Sequence, residues 1–239
     1  MENERKQENG ERFLFPFEYI IENLTTSPML NYFKNSIIIT VGVLIPLLLI
    51  SFMAGFALSK IQFRGNKKIL SYFLLGLMLP FQVALIPLFT IFSKMGILNT
   101  YPAVILPQIA FPLSYSIQLF YSFSKFLPDE IIEAAIIDGC SPMRTFFKIV
   151  FPLLKPTTAT LVILNVLAFW NDYLLPSLVL GKKNLYTLPL STYSFYGTYS
   201  SDYGVIMAAL VLTVAPILVL YLFLQKEIID GVVAGAVKS

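Results

Sequence analysis

The chain has 239 residues, of which 56% are hydrophobic and only 13% charged. Soluble domains average about 45–50% apolar and about 25% charged residues, so too few charges are present to cover a water-exposed surface, and too much apolar side chain for disorder. Histidine is absent and Cys140 is the one cysteine, which excludes histidine-based acid–base chemistry, an internal disulfide and a cysteine metal site; a formal charge of +3 gives no electrostatic footprint for nucleic acid.

Residues 1–35 are polar and rich in acids, and lack the apolar stretch of a cleavable leader. Five stretches then have the length and hydropathy of a membrane span, near Ser36–Leu58, Ile69–Phe92, Ala103–Phe123, Thr157–Leu180 and Gly204–Leu224. Alternation of strand type is missing, and a helix satisfies its own backbone in lipid, so an all-α polytopic bundle is predicted over 36–224. Residues 225–239 form a tail.

Lys60, Arg64, Lys67 and Lys68 follow the first span, Lys125, Arg144, Lys148 and Lys155 the third, and Lys226 and Lys238 the fifth, against only Lys94, Lys182 and Lys183 in the other two loops. The richer side is assigned to the cytoplasm. Five spans then place the N-terminal segment, with Arg5, Lys6, Arg12 and Lys34, outside, which its basic residues disfavour; either the segment is tolerated there or a preceding span is missing from this chain.

Pro46, Pro80, Pro87, Pro107, Pro112, Pro176 and Pro216 fall inside the predicted spans. They fit both ordinary membrane-helix composition and hinged helices around a path that opens alternately. Gly42, Ala54, Gly55 and Ala57 allow close helix packing. Tyr186, Tyr193, Tyr196, Tyr199 and Tyr203, with Phe195, read as an interfacial aromatic belt or as a contact for an external partner.

The loop 124–156 carries the most information. Pro128 with Asp129 and Glu130 starts a helix that Gly139 stops, and Ser141-Pro142 starts a second that ends at Pro152. Asp129, Glu130 and Glu133 share one helical arc, while Ile131, Ala134 and Ala135 lie away from it. Such a hairpin either docks against another protein or rests on lipid headgroups.

Glu133-Ala134-Ala135, three residues, Gly139, nine residues, Ile149, one residue and Phe151-Pro152 resemble the EAA loop of ABC-transporter permeases, with Phe151 in place of the usual leucine. Other segments resemble the maltose-type, carbohydrate-uptake branch of that family. They are Phe63-Arg64-Gly65-Asn66-Lys67, Leu79-Pro80-Phe81-Gln82-Val83 with Ile86-Pro87, Gly96-Ile97-Leu98-Asn99-Thr100-Tyr101, Phe169-Trp170-Asn171-Asp172-Tyr173 and Ala234-Gly235-Ala236-Val237-Lys238.

The resemblance implies a multi-pass subunit of a bacterial-type plasma membrane, normally with one further helix at its start. It would form half of a translocation path with a second, related permease subunit. Two ATP-binding subunits would sit below it and an extracytoplasmic solute-binding protein above. Glu133, Ala134, Ala135, Asp138, Gly139, Ile149 and Pro152 would couple it to the ATPase. ATP and magnesium would be bound by those partner subunits, since this chain lacks a G-x-x-x-x-G-K-[ST] loop. The expectation is therefore no cofactor in this chain, no enzymatic activity and no nucleic-acid partner.

Asp172 is the one charge placed well inside a predicted span. With Trp170 and Asn171 it is a candidate for the solute path, where Asn171 and Asp172 would hydrogen-bond hydroxyls and Phe169 and Trp170 would stack on sugar faces. The other reading of Asp172 is structural, a helix cap or bridge. Few charges inside the spans favour a neutral polyol or oligosaccharide over a phosphorylated or cationic solute. A stand-alone secondary transporter would need coupling groups and internal repeats, neither of which is visible.

Overall fold

The computed structural model describes residues 28–194, 210–211, 213–223 and 225–226. Regular structure among them is helical: α1 (Met29–Lys60), α2 (Asn66–Gly76), α3 (Phe81–Met95), α4 (Tyr101–Lys125), α5 (Asp129–Ile137), α6 (Pro142–Leu153), α7 (Lys155–Trp170), α8 (Leu174–Val179), α9 (Leu188–Ser194) and α10 (Thr213–Phe223). The N-terminal segment, the aromatic cluster Tyr196, Tyr199 and Tyr203, the start of the fifth predicted span and Ala234–Lys238 lie outside the described residues.

The first and third expected spans are single helices of 32 and 25 residues, α1 and α4. The second and fourth are not. At the second, α2 and α3 meet at a 90° bend. Pro80 is the cause: it is extended (φ −68°, ψ 128°), has no N–H to continue the ladder and disfavours a helical Leu79 before it. At the fourth, helix α7 ends at Trp170 rather than running to Leu180, and Asn171-Asp172-Tyr173 turn the chain into the short α8. Asp172 thus sits in a turn and not in the interior of a span. A 75° bend also separates α6 from α7 at Leu154.

Contacts between α1 and α4 fix their relative direction. The Tyr101 hydroxyl donates to Asn35 Oδ1 (2.8 Å) near the start of both helices, and Phe52 packs on Phe120 (5.0 Å between centroids) near their ends. The two helices are therefore parallel, and the intervening α2 and α3 return the chain from one end of the bundle to the other. Close approach is possible because Gly55 lacks a side chain. A Cβ there would lie 2.6 Å from Phe120 Cβ and 2.8 Å from the Tyr121 nitrogen. Helix α7 runs the opposite way, from Leu154 beside Phe52 and Phe146 to Trp170 beside Tyr32.

The core follows these crossings. Ile39, Val43 and Leu47 pack with Ala103, Val104, Leu175 and Val179 toward one end. Phe52, Phe120, Phe146, Val150, Leu154 and Leu161 fill the other, with Phe52 and Phe146 centroids 4.2 Å apart. On the outside of α1, Ile37, Val41, Ile45, Leu49 and Met53 recur every four residues and are all exposed. A continuous apolar stripe of this kind is untenable in water and natural against lipid.

Candidate functional site

Two sets of candidate residues lie at opposite ends of the bundle. The first is the hairpin of α5 and α6. Asp129 and Glu130 occupy the first turn of α5, where the helix dipole favours them, and the helix closes at Asp138. Gly139 follows with φ +74°, the left-handed conformation that turns the chain. Cys140 N donates to the Ala135 carbonyl (2.9 Å) to seal the end. Ser141 then caps α6, its Oγ accepting from Arg144 N (3.3 Å), and Pro142 occupies the first turn.

The second arm differs from expectation in one respect. It does not stop at Pro152 but continues to Leu153, and residues Phe146–Val150 form a π-helical turn. Pro152 has no N–H for the Lys148 carbonyl, so an ordinary α-helical ladder cannot pass through it; the wider turn lies just ahead of it.

The hairpin divides its candidate residues between inside and outside. Glu133, Ala134, Asp138, Gly139 and Pro152 are exposed, and Ile149 is half-buried. Ala135 is buried, 3% exposed, and belongs to the hairpin's own packing rather than to its outer surface. Ile136 and Ile137 complete the outer face, Ile137 being 86% exposed. An isoleucine left this open beside two acids at a glycine turn is a shape for another surface to receive.

The same end holds residues that spacing in the sequence did not single out. Lys60, the last residue of α1, donates to Asp129 Oδ1 (2.6 Å) and to the Leu127 carbonyl. Asn66 Nδ2 donates to the carbonyls of Leu58 (2.8 Å) and Ile61 (3.0 Å), capping the end of α1 from the following turn. Lys60 shows in the sequence only as one more basic loop residue.

At the far end, Asp172 joins two elements. Oδ1 accepts from Leu174 N (2.9 Å), capping α8, and Oδ2 accepts from Gln108 Nε2 (2.8 Å) on α4. Gln108 is 5% exposed, and its Oε1 is buried without a hydrogen-bond partner. Asn171 is exposed and its Nδ2 donates back to the Leu167 carbonyl (2.8 Å). Trp170 is enclosed by this chain: it is 5% exposed, its Nε1 donates to the Thr213 carbonyl (2.8 Å), and Phe33 meets its ring edge-on at 5.7 Å. Phe169 is also buried, 7% exposed. Phe169 and Trp170 are thus packed inside the bundle, Trp170 against α1 and α10 of this same chain. Nearby, Asn35 donates to the carbonyls of Asn184 and Tyr186 (both 2.9 Å), and Asn99 N donates to the Val179 carbonyl (2.9 Å), holding the segment after α8 against the bundle.

Among the described residues, a helical bundle with an apolar exterior, polar joints at one end and an exposed hairpin at the other has the architecture of a helical membrane protein. Residues 47–232 match the family described as "Binding-protein-dependent transport system inner membrane component", and the chain belongs to that family, the permease component of ABC importers. It is 37% identical over 209 residues to the arabinooligosaccharides transport system permease protein AraQ of Halalkalibacterium halodurans, covering 87% of this chain and 74% of that one. The multiple sugar-binding transport system permease protein MsmG of Streptococcus mutans is 37% identical over 95% of this chain and 84% of its own. The diacetylchitobiose uptake permease NgcG of Streptomyces coelicolor is 35% identical over 92% and 73%. Among solved structures, a bacterial ABC transporter that imports the acidic polysaccharide alginate shares the fold with a TM-score of 0.77 at 20% identity, over 88% of this chain and 79% of that one. The MetNI methionine transporter shares it with a TM-score of 0.59 at 17% identity, over 86% and 99%.

Proposed function

We propose that this chain forms half of the membrane path of an importer for a neutral sugar or oligosaccharide, and that the α5–α6 hairpin receives its movement from a separate ATPase. The observation that carries the reading is the hairpin itself. Glu133, Ala134, Ile137 and Asp138 are presented outward, while Phe146 and Val150 root the second arm among Phe52, Phe120 and Leu161. A push on the tip therefore reaches the ends of α1, α4 and α7 together.

The chain crosses the bilayer five times in this reading. Helices α1 and α4 cross whole, α2–α3 cross as a bent pair, and α7 with the short α8 after it makes the fourth crossing. The fifth predicted span, Gly204–Leu224, makes the fifth crossing; its described part, α10, lies beside α7, with Ile217 and Leu220 in the cluster of Val166 and Trp170. The hairpin lies in the cytoplasm, as the excess of Lys and Arg at that end requires. A second permease subunit supplies the other half of the path, two ATP-binding subunits seat the paired hairpins, and an extracytoplasmic binding protein delivers solute above. Asn171 and Asp172 stand at the solute side, and Trp170 contributes by holding them there.

A sugar fits better than an ionic solute. The permeases AraQ, MsmG and NgcG are named for saccharides. Among the described residues, the one acid near the path, Asp172, is already committed to Leu174 and Gln108. The test is uptake into vesicles holding the assembled transporter, with labelled neutral oligosaccharides, a sugar phosphate and a polyamine offered in turn. Uptake driven by ATP and confined to neutral saccharides supports the reading; uptake of the phosphate or polyamine alone contradicts it.

A further inference from the structure

We infer that Lys60 is a positioning residue for energy coupling: it locks the hairpin to the end of α1, so that a motion received by the hairpin turns α1 as well as α4. The inference rests on the hairpin being the ATPase-driven element. Helix α4 is joined to the hairpin by the chain itself, through residues 126–128. Helix α1 is not, and among the described residues its direct polar link to the hairpin's first helix is the Lys60 side chain.

That link has two points. The Lys60 ammonium donates to the Leu127 carbonyl, in the turn between α4 and α5, and to Asp129 Oδ1 at 2.6 Å, on the first residue of α5. One contact fixes the turn and the other fixes the helix that leaves it, so the angle between α4 and α5 is set from α1. The charges suit their places. Lys60 ends a helix and Asp129 begins one, each favoured by the dipole it meets. The Lys60 side chain is only 10% exposed, whereas Asp129 is 74% exposed. A lysine held almost wholly inside, in one orientation and on two acceptors, fixes the alignment of the groups that accept from it.

The rest of the α1 end is stiffened to match. Asn66 caps it through the Leu58 and Ile61 carbonyls. Just before it in α1, Gly55 lets α1 approach Ile117, Phe120 and Tyr121 of α4 so closely that a side chain there would collide with them. Hairpin, Lys60, α1 end and α4 end thus move as one body. Without Lys60 the second arm stays packed on Phe52, but α5 loses its hold on the end of α1 and can shift about residues 126–128.

The experiment uses the complete transporter in vesicles, with ATP hydrolysis and solute uptake measured on the same preparation. Lys60→Met keeps the aliphatic stem and removes both donations. It is expected to assemble and hydrolyse ATP normally while the ATP spent per solute rises about three- to tenfold, the scale typical of single residues in a coupling network. Lys60→Arg, which can still donate to both acceptors, should restore the wild-type ratio. Asp129→Ala, at an exposed position, removes one of the two acceptors and should raise it less, because Leu127 still holds the lysine. A wild-type ratio in Lys60→Met overturns the inference. If Lys60→Met does not assemble, Asp129→Ala carries the test, and a wild-type ratio there overturns it. Gly139→Val separates the two layers. If it uncouples and Lys60→Met does not, only the role of Lys60 falls; if neither uncouples, the coupling role of the hairpin falls with it.

Discussion

Asp172 ties α8 to α4 through both of its carboxylate oxygens, and that geometry says which replacements it accepts. Asparagine retains an oxygen for the Leu174 N–H, and the Gln108 amide can turn its buried, unpartnered Oε1 toward the new amide hydrogens. Alanine removes the cap and leaves the Gln108 amide buried without its partner, a loss of about 2 kcal/mol. Thermal unfolding of the detergent-solubilised complex should therefore place Asp172→Asn close to wild type and Asp172→Ala clearly below it. If Asp172→Asn unfolds as early as Asp172→Ala, the charge itself and not the joint holds this end together. The sequence showed Asp172 as an isolated acid in an apolar run and raised a cap as one of its two roles. It could not show Gln108, 64 positions away, because one of two glutamines on an apolar helix carries no spacing signal. Lys60 escaped for the same reason, its acceptors lying 67 and 69 positions further on.

At the level of elements, what was legible was whatever local chemistry decides. Pro128 and the acids after it start α5, Gly139 ends it, and Ser141-Pro142 start α6, all as the residues require. Hydropathy located the apolar segments but not their breaks. It averages over a window of a span's length, so Pro80 and the Asn171–Tyr173 turn, each a matter of one to three residues, vanish into it. Gly139 offers the sharpest test at this scale. A Cβ built there meets nothing within 4 Å, so space is not what excludes a side chain; the φ of +74° is. A side chain in that conformation costs about 1–2 kcal/mol, most for a β-branched residue and least for asparagine. Gly139→Asn should keep most of the uptake, whereas Gly139→Val should reach the membrane in normal amount and lose uptake. Equal uptake in the two variants, measured per inserted protein, would show that the turn's angle is unimportant.

For the whole molecule, the decisive arrangement is the parallel pairing of α1 and α4. It obliges the bent α2–α3 segment to carry the chain back across the bundle, and it sets the hairpin after α4 at the same end as Lys60 and Asn66. Polar joints collect at the other end, where Asn35, Asn99, Gln108 and Asp172 hold the segments after α7. In the function proposed above, one end is pushed and the other rearranged, the division an importer needs between its engine and its gate. Composition alone announced a membrane protein, and the EAA-like run announced the hairpin. The pairing that joins them depends on contacts such as Gly55 on Phe120, which no periodicity records. The most direct test is a photoreactive amino acid at Ile137, the outermost apolar side chain of the hairpin at 86% exposure, in the assembled transporter. Illumination should join this chain covalently to the ATP-binding subunit, and nucleotide should change the yield. A crosslink to the solute-binding protein, or to lipid alone, would contradict the account.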